Sequence, residues 1–468
     1  MCPDPVVVIG AGPAGLTAGH ELLNAGIAPV VIEQAPIVGG IARTHVHKGY
    51  RFDLGGHRFY TKIETIDRLW QKMLGEELLT VDRLSRIFYR GKFIHYPLDV
   101  LNVLVTLGPV ESLRILASYL RVRLRPLPVQ DTFEQWVTNR FGRRLYKAFF
   151  QTYTEKVWGI PCNQIEAEWA AQRIQGLSLI GAVLDSLFGA RDKHKTLIRS
   201  FKYPRLGPGM MWEQFARDVE QRGGTVQMNT KATKISISNE RVVEVSTESS
   251  LGERMQLVPG HVISTAPITE LVVKMDPPAP DPVRKAASGL RHRDFIIVGL
   301  VLNRPQVFAD NWIYVHNPHV KVGRVQNFKN WSRAMVPDDD KTSLGMEYFC
   351  NEGDELWNMT DEQLIQLASR EVVEMGLAQD GDIEEGLVIR QPKAYPVYDR
   401  DYRHNLGLLR KYVGTISNLQ TIGRNGLHRY NNQDHSMLTA MLAVKNLMGQ
   451  DHDVWEVNTE QSYGEAFT

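Results

Sequence analysis

Two stretches, Val6-Val-Val-Ile-Gly-Ala-Gly-Pro-Ala-Gly15 and Ile27-Ala-Pro-Val-Val-Ile-Glu33, decide how this chain folds. The run Val6–Ile9 is apolar and β-branched, as a buried parallel strand is. It leads into Gly10, Gly12 and Gly15 in G-x-G-x-x-G spacing. The first glycine of such a motif permits a tight turn, the second lets backbone approach a pyrophosphate, and the third lets helix and strand pack closely. A helix is expected from about Pro13 to Ala25 and a second strand over Ile27–Glu33, which together make a βαβ unit. Phosphates belong at the positive end of that helix, near Pro13 and Ala14. Glu33, eighteen residues after Gly15, ends the second strand, where a carboxylate accepts hydrogen bonds from a ribose.

The remaining chain is long enough to bury a large core. It has 468 residues, 43% of them hydrophobic, and the length suggests two or three domains. Its 54 basic and 53 acidic residues leave a net charge of +1, which argues against a broad nucleic-acid surface. Cys2, Cys162 and Cys350 form no C-x-x-C motif or disulfide framework, and this fits a reducing, cytoplasmic compartment. No signal peptide is expected, because the N-terminal apolar run is short and lacks a basic flank. There is no apolar stretch of about 20 residues, so no membrane span is expected. His45 and His47 lie two apart without a fixed acidic or cysteine partner, and no metal site is expected there.

The chain is expected to be α/β, with discontinuous domains. Residues 1–61, 200–290 and 415–468 form the Rossmann-type nucleotide domain. Residues 62–199, helical by periodicity, form a helical insert, and residues 291–414 form a mixed α+β substrate domain. Strands are expected at Thr225–Ile237, Arg241–Ser246, Val262–Thr265, Phe295–Leu302, Ser343–Phe349 and Leu419–Gly423, and helices at Leu356–Met375 and Ser436–Gly449. The Leu98–Leu124 segment is rich in Leu and Val, with Arg114, Arg121, Arg123 and Arg125 toward its end. It reads as one or two helices broken near Gly108-Pro109 and packed on the protein, or else as an oligomer interface or a membrane-surface helix with snorkelling arginines.

Beyond Glu33, the segment Val38-Gly-Gly-Ile-Ala-Arg-Thr44 resembles the extension found in flavoproteins of the amine oxidase, protoporphyrinogen oxidase and sugar mutase group. The resemblance implies FAD as the cofactor, with Gly39, Gly40 and Arg43 at its diphosphate. In Phe52-Asp-Leu-Gly-Gly-His-Arg-Phe-Tyr60, the pair Gly55-Gly56 allows backbone to approach a flat ring with His57 beside it; the alternative for His57 is a loop histidine bonded to a carbonyl. Gly423 and Arg424 open a strand-to-helix turn that in this group returns to the cofactor.

The resemblance sharpens toward UDP-galactopyranose mutases, especially the longer eukaryotic-type ones. The stretch Gly423-Arg-Asn-Gly-Leu-His-Arg-Tyr-Asn-Asn-Gln-Asp-His-Ser436 is similar to their closing segment. Tyr153-Thr-Glu-Lys-Val-Trp-Gly-Ile-Pro161, then Trp169 and Arg173, match further family segments, and Asn311-Trp-Ile-Tyr314 resembles the strand that faces uridine. Arg324 and the Tyr395-Pro396 step also fall where the family has counterparts. The implied substrate is a nucleotide sugar. Arg173, Arg324, Tyr395 and Tyr430 would clamp its diphosphate, and Trp312 and Tyr314 would bound its uracil. The catalytic candidates are His57, Arg173 and Arg324. In this family reduced flavin attacks the anomeric carbon and the ring recloses without net redox change, so an external reductant is implied.

Each residue also has a plainer reading. Arg173 pairs with Glu166 or Glu168, Arg324 lies on the surface, Tyr395 and Tyr430 are core tyrosines, and Trp312 is structural. The segments Val322–Ser332 and Met346–Cys350 look instead like those of protoporphyrinogen-oxidase-like flavoproteins. That leaves two other readings open: an oxidoreductase passing hydride from an apolar amine, porphyrinogen or isoprenoid to flavin, and a non-catalytic flavoprotein.

Overall fold

The computed structural model describes residues 5–96, 100–167 and 199–458. Strand β1 (Val6–Ile9) is buried along its whole length, which explains its uninterrupted apolar run. It pairs in parallel with β2 (Pro29–Ile32) on one side and with His261–Ser264 on the other. Leu419–Thr421 and Thr225–Gln227 complete a five-stranded parallel sheet. Side chains alternate across β1 with the period of two that a strand dictates. Val6 and Val8 pack beneath three helices, Pro13–Asn24, Gly209–Gln221 and Gln433–Leu447. Val7 and Ile9 face the other way, against a four-stranded sheet built on Thr230–Ser238 and Arg241–Ser249. This is the expected α/β class.

A second sheet has seven strands, in the order Ile383–Pro396, His292–Leu302, Thr342–Cys350, Arg324–Asn327, Trp312–Val315, Ser85–Tyr89 and Lys92–His95. Its pairings are antiparallel except where Trp312–Val315 meets Ser85–Tyr89. Ile296, Val298, Leu300 and Leu302 turn to a cluster that holds Leu364, Ala368 and Val372 of the Asp361–Glu374 helix. Phe295, Ile297 and Val301 turn to the opposite face, into an aromatic core with Phe149, Phe150, Tyr153, Trp158 and Tyr430.

Several local expectations need correction. The part of residues 62–199 that covers Leu78–His95 is not helical. It forms the strands Leu78–Asp82, Ser85–Tyr89 and Lys92–His95, and the last two extend the seven-stranded sheet. The reason is legible in hindsight: Ile87 and Ile94 go to one core and Phe88 and Phe93 to the other, a period of two across an Arg90-Gly91 turn. The Leu356–Met375 helix is two helices, Glu355–Asn358 and Asp361–Glu374. The second is restarted by Thr360, whose side chain accepts from Gln363 N in a capping box. The final helix begins three residues early, at Gln433, because Asn432 caps it. Helices do follow at Val100–Leu107 and Pro109–Leu124, broken at Gly108, which has φ +89°. No helix of the described residues is long and apolar enough to cross a membrane.

Candidate active site

A cavity of about 400 Å³ runs between the two sheets, a volume in the usual range for a small-molecule site. Gly10, Gly12, Pro13 and Ala14 line one end, together with Glu33 and Arg43. Gly10 has φ +102°, and a Cβ on Gly15 would lie 1.8 Å from the Gly10 carbonyl oxygen, so the turn admits no side chain there. A Cβ on Gly40 would stand 3.3 Å from Gly12 Cα, so two bare backbones face each other beside the cavity. The Pro13–Asn24 helix has no side-chain cap and no acidic residue in its first turn. Its first amides therefore remain for a ligand.

Glu33 accepts from the backbone N–H groups of Ala11 (2.8 Å) and Ala35 (2.9 Å). A carboxylate has about four acceptor positions, so it keeps capacity for ribose hydroxyls. Arg43 donates to the Gly40 carbonyl at 2.8 Å. Burial pulls its pKa below the ordinary guanidinium value, and the nearby Glu33 carboxylate opposes that in part. Among the described residues, Arg424 Nε, Gln391 Oε1 and Gln433 Nε2 are buried without a hydrogen-bond partner, and all three residues line the cavity. Buried polar atoms of this kind normally find partners, so the wall suits a large polar group. Bare backbone for a diphosphate, a carboxylate for a ribose and a desolvated arginine together fit FAD.

Gly55, Gly56 and His57 line the middle of the cavity. A Cβ at Gly55 would come within 3.7 Å of Glu347 Oε1 and 3.9 Å of Arg324 Nη2. His57 Nε2 lies 2.9 Å from the Leu54 carbonyl, as the loop-histidine alternative expects, and the residue also lines the cavity. Burial brings its pKa down to about 4, with Arg424 and Arg324 adding to the effect and the Leu54 and Ile41 carbonyls opposing it. His57 is neutral at physiological pH. The closing turn arrives at Gly423, φ +80°, where a Cβ would stand 2.9 Å from Ala14 Cβ. This places Arg424 on the wall.

At the far end, Arg324, Tyr395 and Tyr430 line the same cavity. Tyr395 and Tyr430 stack, 5.7 Å between centroids and 17° between planes. The Arg424 guanidinium lies 4.1 Å from the Tyr430 centroid and 4.8 Å from that of Tyr395. Arg324 Nη2 donates to the Tyr395 hydroxyl at 3.1 Å. Burial pushes that hydroxyl up to about 12, so it stays protonated at neutral pH and can donate its own hydrogen. Arg324 is not a surface residue; it is 7% exposed. Its Nε donates to Glu347, which is 0% exposed and also accepts from Gln326 Nε2 at 2.7 Å. Burial pulls the Arg324 guanidinium down, but Glu347 together with Tyr395, Tyr153 and Tyr314 outweighs it, and the net effect holds the group well above its ordinary value.

Trp312 and Tyr314 do not line this cavity. They are buried in the aromatic core, Trp312 at 5.2 Å from Trp331 and Tyr314 edge-on to Tyr153 at 5.6 Å. Trp312 is met from the cavity wall by Arg58, a lining residue whose guanidinium is 5.7 Å from its centroid. Arg173 and Trp169 lie outside the described residues. The sequence reading missed Glu347 and Gln326, which orient Arg324, and Arg58 and Tyr60 on the wall. A signal for Glu347 existed: one acid in the otherwise apolar run Met346-Glu-Tyr-Phe-Cys350, where an unpaired charge would be costly.

Comparisons with known proteins agree with this geometry. The family of flavin containing amine oxidoreductases matches the chain over residues 13–391. A "Probable UDP-galactopyranose mutase" of Klebsiella pneumoniae is 23% identical over 173 residues, which are 35% of this chain and 43% of that protein. The L-amino acid oxidase Cdc18 of Crotalus durissus cumanensis is 43% identical over 60 residues, 13% of this chain and 12% of that one. The matched stretches thus span less than half the length of these curated relatives. Among solved structures, a reduced UDP-galactopyranose mutase superposes with a TM-score of 0.85 at 21% identity, over 97% of this chain and 98% of that one. A protoporphyrinogen oxidase-like protein from an Exiguobacterium species reaches 0.72 at 16% identity over 96% and 100%. Putrescine oxidase reaches 0.61 at 17% identity over 96% and 99%.

Proposed function

Because this chain belongs to the flavin containing amine oxidoreductase family and binds FAD, we propose that it is a UDP-sugar mutase of the UDP-galactopyranose type, working with reduced flavin. The observation that carries the reading is the cluster of Arg324, Arg424, Tyr395 and Tyr430 in one cavity with His57 and the Gly55-Gly56 pair. The overlay with a mutase along nearly the whole of both chains supports it.

Reduced FAD supplies a nucleophilic nitrogen for the anomeric carbon. The chain's own residues hold the nucleotide and place the sugar. Arg324 is fixed by Glu347 and passes its orientation to the Tyr395 hydroxyl, which donates to a phosphate oxygen. Arg424 rests on two aromatic faces, and among the described residues its hydrogen bond is a long 3.5 Å contact to the Asn431 carbonyl. It is the cation best placed to meet a diphosphate. Neutral His57 fixes the loop beside Gly55-Gly56 and adds no competing charge. Arg173 joins the clamp in this reading.

One observation favours the second reading, an oxidoreductase that passes hydride from an apolar substrate to flavin. Glu347 already neutralises Arg324, so that arginine requires no anion from the substrate. Titration of dithionite-reduced holoenzyme with UDP separates the two. The mutase reading expects UDP to bind and perturb the flavin spectrum; absence of UDP binding in both flavin states turns the assignment to the oxidoreductase.

A further inference from the structure

The Pro109–Leu124 helix is apolar on two opposite sides. At about 100° per residue, Ile115, Tyr119 and Val122 share one side, and Ile115 and Tyr119 are buried against the protein. The outward side carries Val110, Leu113, Leu116, Leu120 and Leu124 within an arc of about 120°. All five are exposed, Leu113 at 68% and Leu124 at 82%. Val105 on the preceding helix is 80% exposed, and Leu127 and Val129, which follow the helix in sequence, are exposed as well. Half of the large hydrophobic side chains exposed among the described residues thus fall between positions 105 and 129. A contiguous patch of this kind marks an interaction site.

Charge identifies what it meets. On the helix circumference Arg123 borders the outward arc on one side, and Arg114 and Arg121 border it on the other; all three are exposed, and Arg125 follows at the end. Residues 100–147 hold eight basic and three acidic side chains, +5 in a chain whose total is +1. The one acid on this helix, Glu111, is engaged by Arg144, which leaves no free carboxylate along the apolar arc. An outward apolar stripe flanked on both sides by arginines matches the acyl-to-headgroup boundary of an anionic bilayer: leucines enter the acyl layer while guanidinium groups remain among phosphates. A protein partner would be expected to bring acids to both flanks, and a second copy of this chain would bring further arginines.

We propose that the Val100–Leu124 helical pair is a docking surface for anionic lipid membranes. It lies in the plane of the interface and leaves the FAD cavity outside the bilayer. The proposal is independent of whether the enzyme is a mutase or an oxidoreductase.

The test is cosedimentation of full-length holoenzyme with vesicles of phosphatidylcholine alone or with about one third phosphatidylglycerol, alongside sedimentation equilibrium without lipid. The expected result is binding to the anionic vesicles that weakens at least tenfold in high salt, with weaker binding to neutral vesicles and a monomer in the absence of lipid. Arg121→Glu with Arg123→Glu should weaken binding to anionic vesicles at least tenfold, and Leu116→Gln with Leu120→Gln should do so for both vesicle types. Both variants should keep full flavin content and thermal stability, which distinguishes lost docking from misfolding. No binding to anionic vesicles by the parent protein overturns the proposal. So does a lipid-free dimer that the leucine substitutions dissociate.

Discussion

At the Gly10–Glu33 end of the cavity, the groups proposed to meet the diphosphate and ribose come from a single βαβ unit and the loop after it, with Thr230–Ala232 and Thr265–Pro267 lining the wall beside them, and most of the proposed contacts fall to backbone. At the other end, Arg324, Tyr395 and Tyr430 come from two strands and a closing loop far apart in the chain, and side chains do the work. The first end tolerates no added atoms but asks little of its neighbours. The second depends on a buried support, the Glu347 carboxylate with Gln326 beneath Arg324. Cofactor binding should therefore fail through steric damage at single glycines, and substrate binding through loss of charge or orientation, each independently of the other.

The largest effect is expected from Gly15→Ala. With a Cβ 1.8 Å from the Gly10 carbonyl oxygen, the turn cannot close, and the purified protein should carry almost no flavin by its absorbance ratio. Full flavin loading would break the comparison at its stronger side. Next comes Glu347→Gln, which leaves the Arg324 charge buried without its anion. A loss of about 3 kcal/mol is expected in denaturant unfolding, with flavin still bound below the transition and UDP affinity reduced. A loss under about 0.5 kcal/mol would mean that Arg324 has another partner.

Arg424→Ala sharpens the boundary between the two ends, because this residue borders both. UDP affinity should fall by about tenfold or more, as expected for a lost charge-assisted bond, while flavin content is retained. Loss of flavin instead would assign Arg424 to the cofactor end. The smallest effect concerns pH. His316 is buried and stacked on Tyr153 at 4.8 Å, and burial, with Lys156 adding to it, pulls its pKa down to about 3. The unfolded chain binds this proton near pH 6.5 and the folded chain does not. Its contribution to stability is therefore present above that pH and is lost progressively as pH falls toward 3. His316→Phe keeps the stacked shape, so it should flatten the acid side of a stability-against-pH profile without altering flavin loading.

These contrasts also explain what could be read from the chain. The βαβ unit was legible because its requirements are local: each glycine in the motif answers a backbone constraint, and Glu33 follows at a fixed distance. The break at Gly108-Pro109 was legible for the same reason. The strands at Leu78–His95 were not, since their pattern is short and their partners, Trp312–Val315 and Ser200–Pro204, lie far away in sequence. Tyr395 and Tyr430 came into view by resemblance, but no spacing rule announces that they stack. Glu347 was hidden because a buried acid is interpretable only when its partner across the sheet, Arg324, is known. Trp312 and Tyr314 looked exposed to a ligand because their strand resembled a uridine-facing one, yet here it packs into aromatic core.

The most direct measurement is turnover. Holoenzyme is incubated with UDP-galactopyranose, oxidised in one arm and dithionite-reduced in the other, and the products are separated by anion-exchange chromatography. The account predicts the furanose form of the nucleotide sugar in the reduced arm alone, with no net consumption of reductant. Absence of any ring interconversion by reduced enzyme that demonstrably retains its FAD would contradict it.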